Sequence, residues 1–211
     1  MRIFLLFLLL IPFGLIAQTP EAGELFQIRT VTTAEMNAVL TPSTGTMVYN
    51  TDVKAIFSFD GSSWRQNTVS STIILNRGSA NNILPTATNT FFDFPLDASH
   101  IQVNQGSAFT VVGTGKVRVN ETGIYQLSAA LSTSNLPAGD RKYIISASRN
   151  GSLIGYLSRG SVTLPSGDFW GSSGLLVYSL SAGDVINFRY VINAGGATLN
   201  AAFVNASTTK L

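Results

Sequence analysis

In "GIYQLSAAL", residues 123–131, Tyr125, Leu127, Ala129 and Leu131 fall on one side and Gln126 and Ser128 on the other. A period of two marks a strand with one buried face. The same beat runs through "GKVRV", with Val117 and Val119 inward and Lys116 and Arg118 outward. It returns where Ile186, Phe188, Tyr190 and Ile192 alternate with Asn187 and Arg189. Gly123 is expected to permit a tight reversal between the first two of these strands. From residue 70 onward the pattern predicts strands at 71–76, 90–94, 100–104, 108–112, 115–120, 123–133, 141–149, 152–164, 169–180, 184–192 and 197–205, with no convincing helix. Gly, Asn, Asp and Pro fill the gaps at "NLPAGD", "LPSGD", "SAGD" and "NAGG". Short strands at this spacing predict an all-β sandwich or barrel, and no repeat is visible.

Two stretches break the alternation. "KYIISA" sets Tyr143 and Ile145 against Ile144, and "GLLVYSL" sets Leu176, Tyr178 and Leu180 against Leu175 and Val177. A strand with one wet face should alternate, and large exposed apolar patches are uncommon on monomers. The second face is therefore expected to be covered, by the N-terminal segment or by a neighbouring subunit. The subunit reading makes Tyr143, Ile144, Ile145, Leu175, Leu176, Val177 and Tyr178 the candidate interface.

The first 17 residues follow another pattern. Arg2, an apolar run from Ile3 to Ile11, then Pro12 and Gly14 before Ala17-Gln18 form the layout of a secretory signal peptide. The run is short for a membrane span, and no later run is long enough to be one. Residues 18–69 read as a neck. Thr32 and Glu35 have capping-box spacing at the start of a short helix in "TTAEMNAVL", closed off by Pro42 and Gly45. A hairpin follows in "GTMVYNTDVKAIFSFDGSSWRQ", with Asp60-Gly61 as a turn and Trp64 just beyond it. This stretch resembles a short module found near the start of secreted and tail-fibre-like bacterial proteins. The expected organisation is signal peptide 1–17, neck 18–69 and head 70–211.

Composition narrows the chemistry. Charged residues are 11% of the chain, against roughly 25% in ordinary soluble domains. Loss of Arg2 with the signal lowers the net charge from +2 to +1. Lys and Arg are scattered, which disfavours a nucleic-acid surface. Cysteine is absent, so disulfides and thiolate metal sites are excluded. His100 is the only histidine, and its neighbours Asp97 and Ser99 do not by spacing make a triad. Asp93 and Asp97 lie close in sequence, while Asp140, Asp168 and Asp184 fall in turns; no calcium-loop motif is present. No cofactor is expected. "SGDFWGSSG", residues 166–174, is the candidate surface for a sugar or protein partner, through Asp168, Phe169 and Trp170. The alternative is that the two aromatics enter the next strand and face the core or an interface.

The order "GTGKVRVNETGIYQLSAAL", "RKYIISASRNGSLIG", "GSSGLLVYSLSAGDVINFRYVI" and "ATLNAAFVNASTTKL" resembles the globular head of complement component 1, subcomponent q, and the tumour-necrosis-factor-like proteins. The anchors are Gly123-Ile124-Tyr125, Asn150-Gly151, Leu180 with Gly183-Asp184, and Phe203. The resemblance implies a jelly-roll β-sandwich of about ten antiparallel strands assembling as a homotrimer, with recognition rather than catalysis as its work. It also leaves open a calcium ion near the trimer axis, which no motif here supports. The expectation is a secreted or surface-exposed bacterial recognition or adhesion head for an unknown protein or glycan. Its rivals are a structural subunit or cap of a surface fibre, and a lectin-like domain.

Overall fold

The computed structural model describes residues 27–67 and 70–211; the expected signal peptide lies outside the described residues. The chain divides into two units between Thr68 and Val69.

In the first unit, strands β1 (Thr30–Val31), β2 (Met47–Asn50), β3 (Ala55–Phe59) and β4 (Trp64–Gln66) form one sheet in chain order, with β1 parallel to β2. The expected hairpin is thus a four-stranded sheet. Helix α1 (Thr33–Asn37) is opened by the predicted capping box. The Glu35 N–H donates to Thr32 Oγ1 at 3.2 Å and the Thr32 N–H donates to Glu35 Oε2 at 2.7 Å. That backbone bond, with the Thr32 hydroxyl, holds the Glu35 carboxyl below its ordinary range. A helix of this length has no stability of its own. Met36 supplies it, packing in a small core with Val31 and Val48 under Phe57 and Trp64. Asn50, fully buried, accepts from the Asp52 and Val53 N–H groups and so shapes the turn from β2 to β3. Asp60 does likewise before β4, accepting from Ser62 N, Ser63 N and Arg65 Nε.

The second unit is an all-β jelly-roll sandwich. Its strands are β5 (Thr72–Gly78), β6 (Phe92–Asp93), β7 (Ile101–Gln105), β8 (Phe109–Gly113), β9 (Lys116–Val119), β10 (Gly123–Leu136), β11 (Gly139–Arg149), β12 (Ser152–Leu164), β13 (Asp168–Leu180), β14 (Val185–Ile192) and β15 (Ala201–Lys210). One sheet runs β13-β10-β15-β5-β7 and the other β12-β11-β14-β9-β8, with β6 also on β14. All their named pairings are antiparallel.

The period-two positions named from the sequence meet between the sheets. Tyr125, Leu127 and Leu131 of β10 face a core that includes Ile145 of β11 and Ile186, Phe188 and Tyr190 of β14. Phe94 sits against Phe188 and Tyr190, with centroids 6.3 and 6.1 Å away. Buried phenols need acceptors, and three backbone carbonyls supply them. Tyr125 donates to Glu121 O at 2.6 Å, Tyr143 to Leu131 O at 2.9 Å and Tyr190 to Pro85 O at 3.0 Å. Burial pushes the ionisation of Tyr143 and Tyr190 well above the ordinary phenol range.

The turn at Asn150 and Gly151 has φ of 51° and 87°, the double left-handed conformation that suits Asn-Gly between antiparallel strands. Asn150 also donates to Asp184 Oδ1 at 2.7 Å, tying this turn to "SAGD".

Two local expectations are corrected. Gly123 does not make the reversal by a left-handed backbone. It opens β10, which lies in the other sheet from β9, so the chain there crosses between sheets, and a Cβ on Gly123 would meet only the flexible Lys210 side chain. The final strand spans 201–210 rather than 197–205, because Gly195 and Gly196 take φ of 67° and 83° and Leu199 is held in an isolated bridge to Leu84.

Candidate functional site

The seven candidate interface residues separate by strand. On β11, Tyr143 and Ile145 point into the core, and Ile144 is 6% exposed on the opposite side beside Val191. The chain before β6 runs beside β14, on the edge away from β11. The Asn89 N–H donates to Asn193 Oδ1 at 2.9 Å, and Arg189 Nη2 donates to Phe91 O at 3.2 Å with its guanidinium 5.1 Å from the Phe91 ring. Tyr143, Ile144 and Ile145 are therefore buried within one chain, and a neighbouring subunit is not what covers them. On β13, Leu176 and Tyr178 are half-buried on the inward side. Leu175 and Val177 point outward, 60% and 49% exposed.

Around Leu175 and Val177 lies the outward face of the β13-β10-β15-β5 sheet. The cross-strand rows run from Val177 through Gln126 to Thr209, from Leu175 through Ser128 to Ser207, and from Ser173 through Ala130 to Asn205. Ser128 and Ser207 hydroxyls lie 2.7 Å apart, and Thr72 donates to Thr209 at 3.1 Å. Ile124 at one end and Phe203 at the other are exposed large apolar residues on the same face, Phe203 lying over Gly78. This face is small and polar in its middle and apolar at its margins. The alternation rule hid Ile124 and Phe203, since each is a lone apolar residue in an outward phase that otherwise reads as polar.

Phe169 and Trp170 do not form one platform. Successive strand residues point to opposite faces, so Phe169 stands outward, 67% exposed, and Trp170 turns toward the inside of the sandwich, 38% exposed. Asp168 caps the strand start, its carboxylate accepting the Phe169 N–H at 2.7 Å. Trp170 borders a cavity of about 150 Å³ together with Tyr143, Ser158, Gly160 and Ser172. Trp64, the other tryptophan, is taken into the core of the first unit, edge-on to Phe59 with centroids 5.5 Å apart.

Asp97, Ser99 and His100 do come together, as the cap of a single 3₁₀ turn, Ala98–His100. Ser99 Oγ donates to Asp97 Oδ1 at 2.5 Å, and His100 Nδ1 lies 2.9 Å from the same oxygen. The Ser99 bonds hold the Asp97 carboxyl below its ordinary range. A nucleophile relay places the imidazole between serine and carboxylate, with one ring nitrogen for each. Here one nitrogen serves both, so the trio shapes a turn. Asp93 is likewise engaged, within 3.7 Å of Lys116 Nζ and 3.3 Å of Arg189 Nε. Among the described residues, no three His, Cys, Asp or Glu side chains gather as a metal site, and no helix is long and apolar enough to cross a membrane.

Residues 17–82 match the family model described as a phage tail like trimerisation region. No curated protein matches the chain. Among solved structures the chain is similar to murine APRIL at pH 8.0, at 16% identity and a TM-score of 0.43, covering 68% of this chain and 100% of that one. It is also similar to the PRD1 vertex protein P5, at 18% identity and a TM-score of 0.46, covering 69% and 99%.

Proposed function

We propose that the chain is an exported homotrimer whose head is a non-catalytic recognition or adhesion module carried on a trimerising neck. The observation that carries this reading is the outward face of the β13-β10-β15-β5 sheet, where Leu175, Val177, Ile124 and Phe203 are exposed on one surface. A cyclic trimer joins two different patches of each chain. Edge strand β13 supplies one, through Leu175 and Val177, and the mid-sheet surface around Phe203 supplies the other. The match of residues 17–82 to a trimerisation region supports the same stoichiometry. Three weak sites on one trimer act together, so modest affinity at each suffices for adhesion. The signal-like first 17 residues support secretion or surface display.

Light scattering after gel filtration tests this on residues 18–211 and 70–211. A trimer in both is expected, and a monomer in both overturns it. The match of residues 17–82 to a phage tail like trimerisation region favours a second reading, a fibre subunit attached through the neck. Under it, deletion of residues 18–69 abolishes attachment, whereas a binding head keeps its ligand.

A further inference from the structure

The first unit has a small interior. Among its described residues the buried apolar side chains are Val31, Met36 and Val48, and no residue of β3 is fully buried. A unit of about 40 residues usually needs disulfides, a metal or association to be stable. Cysteine is absent, and no metal-ligating cluster is present among the described residues. Association is what remains. Helix α1 covers one part of the sheet and leaves beside it a groove of about 460 Å³. Val31 and Val48 line the groove from the sheet interior, Met47 and Trp64 from the first positions of β2 and β4, and Val39 from the chain after α1. Its charged members, Arg29 and Glu35, have opposite signs, so an uncharged occupant suits it. Near this groove the chain presents a large apolar residue. Ala38 closes α1, and Leu40 then stands 89% exposed. Thr41 follows with φ of 51°, a left-handed backbone that is costly for a β-branched residue. Such an outlier points to a use for the turn, and what the turn presents is Leu40.

We propose that Leu40 of each copy seats in the groove of the next copy, so that three knobs and three grooves close the neck as a ring. This deepens the reading of the chain as a trimer on a trimerising neck and rests on it. The occupant is a second copy of this chain because residues 17–82, which contain the whole unit, match a trimerisation region. Knob and groove also sit on one chain and agree in chemistry, an aliphatic side chain against aliphatic, thioether and indole walls. A knob that meets a different patch on its neighbour makes a heterologous contact, which closes into a ring when the rotation is a third of a turn. The neck then folds as it assembles, each small core completed by the leucine of its neighbour.

The test uses cysteines, which the natural chain lacks. Residues 18–211 are made as the single variants Leu40→Cys, Met47→Cys and Val53→Cys, all at exposed positions. Leu40→Cys chains are refolded together with Met47→Cys chains, or with Val53→Cys chains as the control, and oxidised gently. Each chain carries one thiol, so any disulfide joins two copies. Val53 lies in the turn at the other end of β2 from Met47. The mixed disulfide with Met47→Cys is expected in at least about tenfold excess over that with Val53→Cys, because the bond requires Cα atoms within about 7 Å. Mass spectrometry of the joined peptides reads the ratio. As a second variant, Leu40→Ser should raise the concentration at which the trimer dissociates by at least about tenfold, the scale of one buried leucine, while Leu40→Met should hold it near wild type. Light scattering on the same samples reports assembly separately. A trimer with no excess of the Met47→Cys product overturns this contact and leaves the trimer standing, which is the result if residues 18–26 of the same chain fill the groove. Wild-type assembly in Leu40→Ser overturns it too. A monomer overturns both the contact and the trimer.

Discussion

Strands β11 and β13 carry the same unusual pattern, apolar residues in both phases, and the fold treats them differently. β11 lies inside its sheet, between β12 and β14, and Ile144 beside Val191 is 6% exposed in the single chain. β13 is the edge of the other sheet, and in this chain Leu175 and Val177 stay in solvent. A two-sided apolar strand therefore says that a cover is needed. It does not say who provides it, because that depends on strand order.

Breaking the β11 side should cost most. Ile145→Ala removes a fully buried side chain between the sheets, and such truncations cost about 2–5 kcal/mol. Urea unfolding should show this loss at any protein concentration. Tyr143→Phe keeps the ring and deletes the hydroxyl that serves Leu131 O. A loss of about 1–2 kcal/mol is expected, from the missing bond and the orphaned carbonyl. On the β13 side, Leu175→Ser with Val177→Ser should change the unfolding of a single, unassembled head by less than about 0.5 kcal/mol, as exposed positions do. Their effect should appear in the mass, which falls from trimer to monomer on dilution. A double variant that loses several kcal/mol as a monomer would show β13 to be covered within its own chain after all. The smallest effect is electrostatic. Lys210 holds the Glu121 carboxyl below its ordinary range, at the corner where Tyr125 also bonds. A depressed carboxyl adds stability above its unfolded value and loses it as pH falls through the folded one. Melting between pH 7 and pH 3 should thus decline slightly less in Glu121→Gln than in wild type; the pair is exposed, which keeps the difference small.

Many strand positions are legible in the sequence because their signals are local. Alternation marked β9, β10 and β14, Asn150-Gly151 marked its turn, and Thr32 with Glu35 marked the start of α1. The cavity was not legible, although Ser158, Gly160 and Ser172 were in plain view. Register shifts lie between Ile145 and Ser146 and between Ala147 and Ser148 where β11 meets β12, so a strict count of two along "SLIGYLSRGSVTL" loses its phase. Without that phase, a glycine facing the interior reads as one more turn-former. Phe169 and Trp170 were found as a pair, yet their adjacency itself sends them to opposite faces.

The last strand has a consequence for how the molecule is made. β15 sits in the middle of its sheet, with β10 on one side and β5 on the other. During synthesis from the N-terminus, β5 and β10 emerge with nothing to join them until residues 201–210 appear. Pairings so distant in sequence form slowly. The sheet therefore closes only after residues 201–210 have been made, so until then β5 and β10 remain unjoined and the head stays open.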